Sequence, residues 1–243
     1  MPEGPSIVIA KEEMTVFIGK KIIEANGNAK IDIDRIEDKV LTDVKSWGKH
    51  LLLCFDDFTI RIHFLLFGSY LVNESKSTAI RLGLVFKNGY INFYAASVKI
   101  LEGNADAHYD WSADVMNDGW NSAAALKKLS DNKQELICDV LLDQDIFSGV
   151  GNIIKNEVLF RTKVNPTSIV GKIPSKKIKE VVEQARIYSF DFLKWKKEYQ
   201  LKKQWLVHTK KDCVQCGKAL VKEYTGKKKR RSFFCTTCQK LYV

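Results

Sequence analysis

After Pro5 the apolar positions Ile7, Ala10, Met14 and Phe17-Ile18 recur at helical spacing, and Gly19 stands where such a helix would end. Pro5 suits the first helical turn, where its missing N–H has no partner to lose. From Ile22 to about Leu101 the period shortens into runs rich in β-branched and aromatic residues. These are Ile31-Asp32-Ile33, Val40 to Val44, Leu51 to Phe55, Thr59 to His63, Ser69 to Val72, Leu82 to Phe86 and Tyr90 to Phe93. Asp56-Asp57 and Asn88-Gly89 separate neighbouring runs as hairpin signals, the second pair being suited to a two-residue loop. A β-sandwich preceded by one helix is therefore expected over residues 1–110.

The stretch from Glu102 to Trp120 is polar and irregular, with Gly103, Gly119 and four Asp, and residues 111–120 are expected to be a linker. Beyond it the helical period returns at Leu126, Leu129, Leu136, Ile137, Val140 and Leu141. Gly149-Val150-Gly151-Asn152 interrupts, Ile153 to Phe160 resumes, Asn165-Pro166 stops the pattern, and Ser175 to about Tyr199 makes a longer lysine-rich helix. The fold class is α+β with two domains: the N-terminal sandwich, then a helical domain over 121–205 with a small appended module over 206–243.

That module carries Cys213-x-x-Cys216 and Cys235-x-x-Cys238, with 18 residues between the pairs. Two such pairs can supply four thiolates to one tetrahedral zinc, and the metal is structural because four thiolates leave no open position. Leu220-Val221, Tyr224 and Phe233-Phe234 would form the strands of this zinc finger, a module too small to hold itself together without a staple.

Charge adds a direction. The chain carries a net +10, yet residues 194–243 hold 15 Lys and Arg against 3 Asp and Glu, while the rest holds 24 against 26. A basic surface confined to one end reads as a polyanion-binding face. No apolar run is long enough to span a membrane, and the first twenty residues lack a signal peptide's apolar stretch. The expected location is the bacterial cytoplasm, and the expected state a monomer. Cys54 and Cys138, in apolar surroundings, are expected to be reduced core residues.

The amino terminus offers chemistry of another kind. Removal of Met1 ahead of Pro2 would leave a secondary amine beside Glu3, and an α-amino group titrates near about 7.7–8.0, so part of it is unprotonated at neutral pH. Attack on a sugar C1′ gives an iminium that acidifies the C2′ proton, and Glu3 could transfer protons to the sugar and leaving group. With Met1 in place the Pro2 nitrogen is a tertiary amide and forms no imine. An ordinary N-terminus, stiffened by Pro-Glu-Gly-Pro, is the plainer reading of these residues alone.

The ordered set of Pro2-Glu3-Gly4-Pro5 before a helix, Gly48-Lys49 before a Leu-rich strand, Gly149-Val150-Gly151-Asn152 between helices and a four-cysteine finger resembles the formamidopyrimidine-DNA glycosylase and endonuclease VIII family. The resemblance covers nearly the whole chain. It implies that Pro2 is the Schiff-base nucleophile, Glu3 the proton-transfer carboxylate and Lys49 a phosphate ligand beside the lesion. It further implies a helix-two-turn-helix in which Asn152 meets phosphate, a simple helix N-cap being the other role open to it. Arg230, with Arg231 as rival at the hairpin tip, would grip phosphates around a flipped nucleotide. Leu66 and Phe67, in Leu65-Leu66-Phe67 before Gly68, would fill the vacated space, core packing being the competing role. Cys213, Cys216, Cys235 and Cys238 would hold one zinc.

The implied partner is double-stranded DNA containing damaged bases or abasic sites. The implied activity is that of a bifunctional glycosylase and abasic-site lyase of base excision repair. Leu66-Phe67, Phe93-Tyr94-Ala95-Ala96-Ser97 and the short lysine-rich stretch Tyr199 to Asp212 favour the endonuclease VIII branch and oxidised pyrimidines. A purine-directed enzyme, a non-catalytic damage-binding member and a zinc-ribbon nucleic-acid module are the alternatives. Ser6, Lys99 and Ile100 depart from the family's pattern.

Overall fold

The computed structural model describes residues 2–243. Met1, on whose removal the amine chemistry depends, lies outside the described residues. The chain divides into two compact units, one ending at Asp110 and one running Trp111–Val243.

The first unit opens with α1 (Gly4–Met14), which carries Pro5 in its first turn, continues into a short 3-10 turn at Thr15–Phe17 and reverses at Gly19, where φ is +76°. Eight strands follow: β1 (Ile22–Asn26), β2 (Asp43–Trp47), β3 (His50–Cys54), β4 (Phe58–His63), β5 (Ser69–Val72), β6 (Leu82–Phe86), β7 (Gly89–Tyr94) and β8 (Ser97–Glu102). They pair antiparallel into two four-stranded sheets, ordered β1-β6-β7-β5 and β2-β3-β4-β8. Leu51 and Leu53 of β3, Ile60 and Ile62 of β4 and Leu84 of β6 share one core with Ile7, Ala10 and Met14 of α1. α1 packs on β2, β3 and β5, so the amino terminus is anchored to the sandwich.

Several details differ from expectation. Ile31-Asp32-Ile33 is no strand but the approach to a 3-10 turn at Asp34–Ile36, where the Asp32 carboxylate accepts the Arg35 N–H at 3.4 Å. A short Asp-centred run has this local alternative to a ladder. β1 and β8 fall outside the expected runs, Glu24 and Asn26 of the one and Lys99 and Glu102 of the other masking the pattern, and β2 starts at Asp43 rather than Val40.

In the second unit α2 (Ser122–Asp131), capped by Asn121, precedes α3 (Ile137–Val140), α4 (Asn152–Arg161), α5 (Ser175–Lys197) and the hairpin β9 (Val221–Thr225) with β10 (Arg230–Phe234). α4 packs against both α5 and β10, so the hairpin is built onto the helical core. Residues 111–120 are packed rather than free: Val115 is fully buried with its N–H on the Ser148 carbonyl at 3.2 Å, and Trp120 lies against Phe147. Ala113 and the Val115-Met116 pair are set among Asp and Asn with neither a helical nor a strand period, which hid this burial from a reading by period. Cys54 and Cys138 are buried free thiols. Among the described residues no helix is long and apolar enough to cross a membrane.

Candidate functional site

In the first unit Pro2 is half-buried ahead of α1, and Glu3 stands at the helix N-cap in extended conformation with a fully buried side chain that does not cap its own helix. Lys49 occupies the two-residue turn joining β2 to β3, where Trp47 pairs with His50 and Gly48 takes φ +52°. Positive φ at the first turn residue fits a type II′ hairpin, which glycine enters freely. Below this turn the His50 ring lies 5.7 Å from Trp47, 5.4 Å from His63 and 5.8 Å from Tyr109. Burial pushes His50 down to about 3, with the charges of Arg61, His63 and Lys49 adding to it, so the His50 ring is neutral at neutral pH.

Leu65-Leu66-Phe67 forms the loop between β4 and β5 and projects from the sandwich: Leu65 and Leu66 are each 51% exposed and Phe67 87%. The loop is nonetheless built. Leu65 adopts φ +52° and its N–H donates to His63 Nδ1 at 3.2 Å, while the Gly68 N–H closes on the Phe64 carbonyl at 2.7 Å. A Cβ at Gly68 would meet the Phe64 carbonyl oxygen at 2.3 Å, so glycine is required for the turn. Core packing is thereby set aside for Leu66 and Phe67.

In the second unit the Gly151 backbone serves as the N-cap of α4, so Asn152 is the first helical residue rather than the cap. Its Nδ2 donates to the Arg231 carbonyl at 2.9 Å, and its Oδ1 is buried with no hydrogen-bond partner among the described residues. Asn152 and the strand bearing Arg230 and Arg231 are thus brought together. The two arginines differ in direction. Arg231 is exposed, donates to the Tyr224 hydroxyl at 2.7 Å and lies over that ring, while Arg230 shares the alternate face with Ser232, which is buried against Lys155 of α4.

The four cysteines of the finger converge, their sulfurs all within 4.8 Å of one another, with Cys213 to Cys238 at 3.8 Å and Cys216 to Cys235 at 3.5 Å. A tetrahedral ion with thiolate bonds of about 2.3 Å has edges of about 3.8 Å, so these residues are placed to hold one metal ion.

What the sequence reading missed is the polar interior of α4. Lys155 and Glu157 are fully buried and Asn156 nearly so. Glu157 accepts the N–H groups of Leu206, Val207 and His208 at 2.9–3.1 Å, Asn156 donates to His208 Nδ1 at 3.0 Å, and Lys155 Nζ donates to Ser232 Oγ at 2.8 Å. This helix holds both the 206–208 segment and the hairpin by polar contacts. The available signal was Asn152, Lys155 and Asn156 at i, i+3 and i+4, with Glu157 beside them, between the apolar Ile153-Ile154 and Val158 to Phe160.

Residues 113–188 match the formamidopyrimidine-DNA glycosylase H2TH domain family. The chain is 27% identical to endonuclease 8-like 3 of Xenopus laevis over 90% of its own length, and spans 38% of that longer relative. It is 25% identical to the formamidopyrimidine-DNA glycosylase of Mycoplasma genitalium, across 99% of this chain and 96% of that one. The fold matches the Lactococcus lactis formamidopyrimidine-DNA glycosylase solved with abasic-site DNA, with TM-score 0.85 at 19% identity, over 98% of this chain and 99% of that one.

Proposed function

The chain belongs to the formamidopyrimidine-DNA glycosylase and endonuclease VIII family, and from that premise we propose that it excises oxidised bases from DNA and cleaves the resulting abasic site through a Schiff base on Pro2. The observation that carries the reading is a buried carboxylate, Glu3, next to Pro2 at the anchored start of α1. The reading requires that Pro2 carry a free amine. The Pro2 nitrogen then bonds to the sugar C1′ as the base departs with its electron pair, the amine gives up its proton, and the nitrogen lone pair breaks the C1′–O4′ bond to leave the iminium, Glu3 handing a proton to the departing O4′. Loss of the C2′ proton expels the 3′ phosphate, and a second elimination expels the 5′ phosphate.

Extraction of the nucleotide comes first, at about a few kcal/mol in stacking and pairing. Lys49, Asn152 and Arg230 are assigned to backbone phosphates, and Leu66 and Phe67 to the space the nucleotide leaves. An apolar loop held open to solvent supports the second assignment, since such groups mark an interaction site. Arg231, already engaged with Tyr224, is assigned a supporting contact. One zinc ion, held by Cys213, Cys216, Cys235 and Cys238, is assigned to the finger, where it supplies structure and no reacting group.

Oxidised pyrimidines are the preferred substrates in this reading. The segment between α5 and Cys213 supports it: it is a 3-10 turn at Leu201–Gln204 followed by residues pinned on Glu157, with little chain free to close over a purine. Single-turnover assays on otherwise identical duplexes carrying thymine glycol or 8-oxoguanine test the assignment. Faster release of thymine glycol, with products bearing phosphate at both ends of a one-nucleotide gap, is expected. Faster release of 8-oxoguanine reverses the substrate preference, and no release of either defeats the glycosylase reading.

A further inference from the structure

The loop between β9 and β10 is four residues, Gly226 to Lys229, closed by the Lys229 N–H on the Gly226 carbonyl at 3.2 Å. Such a tip ordinarily leaves its remaining N–H groups to water. Here one buried carboxylate takes two of them. Asp139 of α3, only 7% exposed, accepts the Lys227 N–H at 2.9 Å and the Lys228 N–H at 3.2 Å, one on each oxygen. The fit is close: Gly226 has φ +70°, and a Cβ there would lie 2.4 Å from both carboxylate oxygens. The lysine side chains lie back on the same segment, Lys227 Nζ on Glu135 at 2.6 Å and Lys228 Nζ on the Leu142 carbonyl at 2.9 Å.

Within the basic run from Lys227 to Arg231, Lys227 and Lys228 are therefore tied to the helical core and Arg231 to Tyr224. Arg230 is the first residue of β10, one residue past the fixed tip. We propose that Asp139 is a positioning residue for Arg230: it fixes the hairpin tip from beneath and so sets where the Arg230 guanidinium meets a phosphate, an inference that rests on the phosphate role assigned to Arg230 above. Charge alone argues the other way. A carboxylate within a basic surface weakens attraction for a polyanion, so what Asp139 contributes to binding is geometry, through charge-assisted hydrogen bonds to backbone.

This difference in sign makes the test decisive. Asp139→Asn removes the negative charge, keeps the size, and puts an NH2 donor in place of one of the two oxygens that each accept an N–H, so one of those N–H groups then faces a donor. Affinity for a duplex bearing a tetrahydrofuran abasic analogue is measured against salt by fluorescence anisotropy, for Asp139→Asn, Arg230→Ala and the double variant, after one metal ion per chain and a cooperative melting transition well above the assay temperature are verified. Gly226→Ala, which disturbs the same contact from the hairpin side, is the second variant.

The expected result is a loss of about 10-fold for Asp139→Asn, and a slope of log affinity against log salt shallower by about 1, the signature of one lost phosphate contact. No further loss is expected in the double variant beyond Arg230→Ala. Tighter or unchanged binding by Asp139→Asn, or losses that add in the double variant, overturns the inference. If Arg230→Ala itself binds as the wild type, the phosphate role of Arg230 falls and the inference with it; a loss on Arg230→Ala alone leaves that role standing and removes only Asp139.

Discussion

Truncating Phe67 to alanine separates a loop built to enter DNA from one built to fill a core, because the two roles predict opposite patterns in two measurements. A buried Phe→Ala replacement costs about 3–5 kcal/mol, which for a protein of this size lowers the melting temperature by roughly 6–20 °C. Phe67 is 87% exposed, and a substitution in such surroundings stays within about 0.5 kcal/mol, a shift under about 2 °C. Binding should show the reverse. An aromatic ring stacked against a base contributes about 1–3 kcal/mol, so Phe67→Ala should weaken affinity for an abasic-analogue duplex by about 5- to 150-fold. Undamaged duplex, held mainly through phosphates, should be affected little. Scanning calorimetry and fluorescence anisotropy on the two duplexes give all three numbers. A melting temperature lowered by 6 °C or more, or equal affinity of variant and wild type for the damaged duplex, would refute the reasoning.

Other outcomes follow from the same geometry. Glu3→Gln should slow base release by about 100-fold or more in single-turnover assays while leaving abasic-analogue binding within about 3-fold, and an unaltered rate removes Glu3 from proton transfer. Stripping the metal with a strong chelator should unfold the finger and weaken DNA binding at least about 10-fold, with metal analysis giving one zinc per chain; full affinity without metal contradicts the structural role. Burial holds His50 at about 3 and His208 at about 4 in the folded protein, both below the unfolded 6.5, so the unfolded chain binds protons first as pH falls. Stability should therefore drop between about pH 7 and 5.5 by about 1 kcal/mol per histidine, measured by urea titration, and His50→Gln should flatten that dependence. A pH dependence unchanged by the substitution would show that His50 is not held neutral.

Elements whose residues share one simple period were legible: the helix after Pro5, the hairpin signalled by Asn88-Gly89, although its two-residue turn is Lys87-Asn88 with Gly89 opening β7 opposite Phe86, and the metal cluster, whose spacing of paired cysteines carries its own geometry. Positions where burial and chemistry disagree were not. Ile31-Asp32-Ile33 has strand composition, yet the Asp32 side chain offers a local turn. Val115 is buried within a stretch that has neither a helical nor a strand period, so a packed segment read as a linker. Glu157 and Asp139 each take N–H groups from chain 49–51 and 88–89 residues away, and no periodicity announces a long-range backbone contact. Asn152 was legible as a polar residue at a helix start, but its contact with the Arg231 carbonyl depends on how the hairpin docks. Leu65-Leu66-Phe67 broke strand alternation visibly. Only its exposure distinguished a projecting loop from a core strand.

Schiff-base chemistry at Pro2 is tested most directly by borohydride trapping on a duplex with a single abasic site, read by intact mass so that the state of residue 1 appears in the same spectrum. A covalent protein–DNA adduct confined to chains that begin at Pro2, and absent from a Pro2→Gly variant that binds the duplex equally well, is the predicted result. Chains that begin at Pro2 and bind the abasic duplex without forming an adduct would contradict it.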